Sequence, residues 1–127
     1  AQKACLNSIN CAKTMLKIIT DVINPVFSNK LPLIEIKNGI DLGESMVVLY
    51  GKNIDIAHID IIGSGISIAA KITALAKPNQ ILISENIFET VIAVIKDISL
   101  KKLNLVYKNW NYNNVKTNKI LNVYILE

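Results

Sequence analysis

The sequence contains no arginine: all 14 of its strongly basic residues are lysines, set against 10 acids for a net charge of +4. That is a weak basis for a nucleic-acid partner, because arginine supplies the commonest bidentate contact to guanine. No nucleic-acid partner is expected. Cysteine is equally scarce. Cys5 and Cys11 are too few for a disulfide scaffold, and their six-residue separation fits neither a metal nor a redox motif, so both read as buried thiols. The single histidine, His58, lies two residues before Asp60 in an alternating stretch, on the same face. One His and one Asp do not make a zinc site. No apolar run approaches the roughly 18–20 residues needed to span a bilayer. The N-terminal stretch, broken by Asn, Lys and Gln, has no secretory pattern. A cytoplasmic location is the expectation, and the opening AQKAC, without methionine, suggests a fragment or processed form.

What is present is a chain of 127 residues, 51% apolar and 19% charged, enough to bury a core and too apolar for disorder. One domain over residues 1–127 is expected. Isoleucine occurs 23 times and asparagine 15 times, a bias in keeping with AT-rich coding. Apolar residues at three- and four-residue steps from Ala1 through Cys5, Ile9, Ala12 and Leu16 to Val26 predict a helix over 1–27, with Pro25 ending or kinking it. Residues 32–51 read as a hairpin. Its Gly39 and Gly43 imply positive φ or the close approach of another segment. Residues 54–62 alternate as a strand broken by Gly63-Ser64-Gly65. A helix with a small-residue face follows over 66–76, stopped by Lys77-Pro78-Asn79. Residues 80–84 form a short buried strand, and Ser84 reads as the N-cap of a helix over 85–96. Two strands near 103–108 and 120–126 flank an Asn-rich loop over 109–118. This order predicts an α+β sandwich with helices packed on one mixed or antiparallel sheet.

One stretch is more specific than composition. Asp60-Ile61-Ile62-Gly63 leads into a helix with Ser67, the pair Ala69-Ala70 and Lys71, then Lys77-Pro78 and Ile81-Leu82-Ile83-Ser84. It resembles the C-terminal half of the class III nucleotidyl cyclase catalytic domains, the adenylate/guanylate cyclase family. The family pattern is an Asp, a Gly three on, an Asn seven on and an Arg eleven on, then a small-residue helix, a Lys-Pro-type turn and an I-x-[IV]-[ST] strand. Asp60, Gly63 and the Ala pair match it, and Gly39-Ile40-x-x-Gly43-Glu44 matches the family's G-I-x-x-G-[ED] hairpin. The similarity covers roughly residues 1–95.

The resemblance implies a ferredoxin-like α/β sandwich. It implies conversion of a nucleoside triphosphate, ATP or GTP, to a 3′,5′-cyclic nucleotide and pyrophosphate. It also implies a head-to-tail homodimer with the site between two domains. Carried over by position, Asp60 meets the purine edge. Ser67 stands where the family has the ribose-positioning Asn, and Lys71 where it has the phosphate-stabilising Arg. Serine is shorter and could reach a ribose only through water. Lysine keeps the charge without the two-pronged donor. Mg²⁺ or Mn²⁺ is expected of the family, but the pattern that carries its metal aspartates, F-x-D-[ILV]-x-G, does not occur here, so this chain alone should be inactive. The alternative is a non-catalytic descendant that dimerises or senses nucleotide.

Two further features have plainer readings. Gly63-Ser64-Gly65 is neither a P-loop nor a dinucleotide fingerprint and reads as a tight turn. The six lysines of 96–119, interleaved with Tyr107, Trp110 and Tyr112, read as a solvated edge rather than a single-strand-binding surface.

Overall fold

The computed structural model describes residues 1–127 except Ser28, Asp97 and Tyr107. The first helix, α1 (Gln2–Ile18), buries Cys5, Ile9 and Ala12, one stripe at helical spacing. The winding then widens to a π segment over Ile19–Ile23 and closes in a four-residue turn, α2 (Asn24–Phe27). Pro25 has no N–H to give the preceding turn, and the π-wound stretch falls just ahead of it, so the helical path runs through the proline. The apolar face predicted to stay inward as far as Val26 does not do so, because Val26 is 72% exposed. Cys11 is also exposed, against the expectation of two buried thiols, because only the Cys5 stripe faces the sheet.

Four strands form the main sheet: β1 (Lys37–Ile40), β4 (Gln80–Ser84), β5 (Leu100–Lys102) and β6 (Val123–Leu126), in the order β1-β4-β6-β5. β1 is parallel to β4, and the other pairs are antiparallel. β2 (Met46–Tyr50) and β3 (His58–Ile62) form a separate two-stranded sheet. The predicted hairpin over 32–51 is therefore wrong in its pairing: β1 joins β4, and β2 joins β3. Alternation within residues 33–36 marks no strand, because that segment is held by reciprocal hydrogen bonds between Asn24 and the backbone of Ile34, at 2.9 and 2.8 Å, rather than by a ladder. The mixed sheet and its packed helices bear out the predicted fold class.

The sheet is covered on both faces. Ile81 and Ile83 of β4 pack with Cys5, Ile9 and Ala12 of α1 and with Ile87 and Val91 of α4 (Glu85–Val91). Leu82 points the other way, toward Ile72 and Ala76 at the end of α3 (Ser64–Leu75) and Val123 of β6. β4 is buried on both sides, as a short unbroken apolar strand should be. Helix α3 lies directly on β1. A Cβ at Gly39 would come within 2.7 Å of Ala69 O and nearer still to Thr73 N, so the glycine is there for close approach, not for positive φ. Ser84 caps α4 as predicted, accepting from Ile87 N at 3.4 Å. Helices α3 and α4 are each offset or shorter than expected; α4 ends at Val91 rather than residue 96.

The C-terminal loop departs most from its prediction. The strand expected at 103–108 is instead β5, ending at Lys102, and β6 begins only at Val123. The Asn-rich stretch is exposed along most of its length, as expected of a solvated edge, but not at Asn114. Asn114 is buried and donates to Glu85 Oε2 at 3.0 Å, and Asn122 donates to Glu85 Oε1 at 2.5 Å. Trp110 is half-buried, with its indole N–H on Leu121 O at 2.9 Å and its ring edge-on to Tyr112. Tyr107, part of the same reading, lies outside the described residues.

Candidate functional site

The residues singled out by the sequence stand on two consecutive elements. Asp60 is the middle residue of β3, opposite Val48 of β2, and His58 is opposite Tyr50. Successive strand residues alternate in direction, so Asp60 and His58 share a face with Val48 and Tyr50. Val47, Leu49, Ile59 and Ile61 form the other face. The Asp60 side chain is exposed, and its Oδ1 accepts from Ile61 N at 2.7 Å. β3 ends at Ile62. Gly63 serves as the N-cap of α3, because a Cβ there would fall 2.6 Å from Glu44 O and 2.9 Å from Ser45 Cα. The tight-turn reading of Gly63-Ser64-Gly65 holds in part: the break is real, but the helix starts at Ser64, two residues earlier than predicted.

On α3 the buried Ile72 and Ala76 fix which side faces the sheet. At about 100° per residue, Ser67, Ala70, Lys71 and Ala74 fall on the outer side, and all four are exposed. Ser67 and Lys71 are one turn apart, about 6 Å along the axis. A ribose and the phosphate it carries span a comparable distance. Two cavities among the described residues, of about 570 and 600 Å³, are lined by none of Asp60, Ser67 and Lys71. All three are exposed. Among the described residues, no group of three or more His, Cys, Asp or Glu side chains could hold a metal ion.

Two features escaped sequence reasoning. The first is how bare the β2/β3 hairpin is: Val47, Leu49, Ile59 and Ile61 are 52–73% exposed, although a run so rich in Ile, Val and Leu ordinarily signals a strand covered on both faces. The second is the side-chain cluster of Glu85, Asn114 and Asn122, brought together from 29 and 37 residues apart and invisible to local pattern.

No protein-family model matches the chain. Among curated proteins, it is 27% identical over 106 residues to a cytidylate cyclase of Escherichia coli, a match over 80% of this chain and 23% of that protein. The adenylyl cyclase CyaB of P. aeruginosa superposes with a TM-score of 0.74 at 16% identity, over 100% of this chain and 60% of that one. The guanylyl cyclase Cya2 gives 0.69 at 17% identity, over 99% and 59%. The catalytic core of a rhodopsin-guanylyl cyclase with converted specificity, in complex with ATPαS, gives 0.63 at 14% identity, over 95% and 58%. The chain thus spans under a quarter of its curated relative and about three-fifths of the solved structures. No helix among the described residues is long and apolar enough to cross a membrane. Over its whole length the fold of the chain is that of the class III nucleotidyl cyclase catalytic domains.

Proposed function

We propose that residues 1–127 are the C-terminal portion of a cyclase catalytic domain that turns a nucleoside triphosphate into a 3′,5′-cyclic nucleotide and pyrophosphate in a homodimer. The observation that carries this reading is a fold matched over its full length by an adenylyl cyclase, with Asp60, Ser67 and Lys71 all exposed on it. In the reaction the ribose 3′ oxygen bonds to the α-phosphorus, the bond to the β-phosphate oxygen breaks, and the 3′ proton is lost. Lys71 supplies a positive charge where negative charge builds on the phosphate oxygens. Ser67, one turn nearer the start of α3, holds the ribose through water. In this reading the chain's part is contact with the nucleotide.

Asp60 also bears on the base. An ionised carboxylate only accepts hydrogen bonds, so it favours an edge carrying N–H donors. Adenine, guanine and cytosine each present an exocyclic amino group, whereas uracil's donor on that edge, N3–H, is flanked by two carbonyls that repel a carboxylate. The E. coli relative named cytidylate cyclase brings CTP into the set beside ATP and GTP. A second reading, a non-catalytic domain that dimerises or senses nucleotide, rests on Ser67 in the Asn position and on the missing metal ligands.

The test is cyclic-nucleotide formation by the full-length protein with CTP, ATP, GTP and UTP in turn. Lys71→Ala is expected to lower turnover at least tenfold, and Lys71→Arg to keep or raise it by restoring a bidentate donor. UTP should be the poorest substrate, and Asp60→Asn should narrow the gap. An active protein indifferent to Lys71→Ala would make Lys71 a plain surface lysine. A folded full-length protein that binds nucleotide without turning it over would favour the second reading.

A further inference from the structure

The charge of the chain is unevenly placed. Residues 98–126 contain five lysines (Lys101, Lys102, Lys108, Lys116 and Lys119) and no acid, whereas the other 98 residues contain 9 lysines and 10 acids. The positive excess therefore belongs to one part of the fold, β5, β6 and the loop between them. Glu85, which meets this part, is turned inward and held by Asn114 and Asn122. One edge of the main sheet lies here too. β5 is the last strand in the order, and no strand among the described residues covers its outer side. Ser99 O accepts from Glu127 N at 2.9 Å, and Leu103 N donates to Val123 O at 2.8 Å, so both residues face β6. Backbone groups alternate in direction along an antiparallel strand, so Leu100 and Lys102 turn their N–H and C=O groups outward. Beyond Lys102 a groove of about 570 Å³ opens, walled by Leu103, Leu105, Val106, Trp110 and Ile120. Its two amide side chains each already make a hydrogen bond, Asn104 Oδ1 with Val106 N at 3.1 Å and Asn122 Nδ2 with Glu85 Oε1. The surface it offers a visitor is mainly apolar, and Val106 is 80% exposed.

We infer that this edge and groove form a docking site for an acidic segment of another protein, bound in extended form as an added strand beside β5. Strand addition takes its affinity from main-chain hydrogen bonds and its specificity from pockets for alternate side chains. Leu100 and Lys102 supply the first. The groove beyond them takes an aliphatic or aromatic side chain of the visitor. The lysines select its charge: on a short edge strand they ward off apolar or basic strands, and an acidic strand is the one they match. A nucleic acid would meet the same charge, but the groove walls are aliphatic and Lys102 alone of the five lysines lines it. Outward peptide groups also suit another peptide, and a concave groove fits a side chain better than the flat surface of a membrane. The site is independent of the nucleotide reading, and its lining includes none of Asp60, Ser67 and Lys71.

Trp110 is the one tryptophan of the chain, so its emission reports on the groove. The test is a fluorescence titration of the chain with a blocked nine-residue peptide that alternates glutamate with valine and phenylalanine. The emission is expected to change saturably, and NMR should show the Leu100 and Lys102 amides shifting with it. The same peptide with lysine for glutamate should bind at least tenfold more weakly. So should the acidic peptide N-methylated along its length, which cannot pair as a strand. Lys102→Pro removes one outward N–H, a loss an edge strand tolerates, and should weaken binding at least tenfold. Lys102→Ala keeps that N–H and should weaken it by no more than threefold. Val106→Glu places an acid in the groove from an exposed position and should weaken binding at least fivefold; it carries the test should Lys102→Pro fail to fold. Equal binding of the lysine or N-methylated peptide, unchanged affinity in the folded variants, or changes that do not saturate would overturn the inference. Tighter binding of a thymidine oligonucleotide or of phosphatidylserine vesicles would overturn it in favour of a nucleic acid or a membrane.

Discussion

Cys5 and Cys11 are six residues apart on one helix, which at about 100° per residue sets them about 120° apart around its axis. Cys5 is buried among Ile9, Ile83 and Ile87, and burial pushes its thiol pKa up, whereas Cys11 is exposed. A thiol reacts as its thiolate. One cysteine per chain should therefore react with Ellman's reagent in native protein, and the second only in denaturant; two fast thiols would show that the α1 stripe is not seated on the sheet. Glu85 is a second residue whose surroundings decide its chemistry. Burial pushes its pKa up, but hydrogen bonds from Asn114 and Asn122 and the nearby Lys102 outweigh that and hold it below the ordinary carboxylate range. A carboxylate more acidic in the folded state stabilises fully above its unfolded pKa and loses that contribution as the pH falls through its folded one. In urea unfolding, Glu85→Gln should be less stable than wild type at pH 7, and the gap should shrink below pH 4. Asn114→Ala strips a buried partner from the same carboxylate and should cost about 1–3 kcal/mol.

At the scale of elements, the closest packing is between α3 and β1. The Cβ of Gly39→Ala would overlap the α3 backbone at Thr73 and Ala69, atoms that no rotamer change can move. The helix must lift off the strand, at a cost of about 1–3 kcal/mol, and Ser67 and Lys71 move with it. Gly39→Ala should lower the denaturation midpoint and, in active full-length protein, reduce turnover without touching a side chain of the proposed site. Gly51→Ala, at a φ of 140° beside the exposed hairpin, should leave turnover alone while costing stability locally. These elements also show what local pattern can and cannot carry. Gln80–Ser84 was legible because an apolar run between a Lys-Pro turn and a serine cap has few other readings. The partner of β1 was not, since chain proximity favoured β2 while the parallel ladder to β4 lies some 40 residues on. The Asn-rich loop misled for a related reason. Asn79, Asn109 and Asn118 hold positive φ, where asparagine's tolerance of the left-handed region is the requirement, but Asn114 and Asn122 serve a distant carboxylate that no window of sequence contains. For the site, the spacing of Asp60, Ser67 and Lys71 was readable, and Ser67 and Lys71 are exposed because they lie on the side of α3 away from Ile72 and Ala76.

The whole molecule carries an imbalance that its own chain does not resolve. The main sheet is covered on both faces, yet Val47, Leu49, Ile59 and Ile61 form one bare aliphatic face of the hairpin. A contiguous apolar patch of that kind marks an interaction surface on a soluble domain. The opposite face carries His58 and Asp60, so a partner seated on the aliphatic face would leave Asp60 free for the nucleotide. A second copy docked there would account both for the patch and for the open surface beside Ser67 and Lys71, which needs a second wall to become a cleft. Leu49→Lys puts a charge in the middle of that face without placing two like charges opposite each other, since its partner across the ladder is Ile59. Light scattering of the full-length protein at tens of micromolar should give a dimer for wild type and a monomer for Leu49→Lys, with unchanged circular dichroism. In an active protein the same substitution should abolish turnover, and mixing it with Lys71→Ala should not restore it. A wild-type protein monomeric at every concentration would leave the hairpin to some other partner and remove the shared site from the proposal.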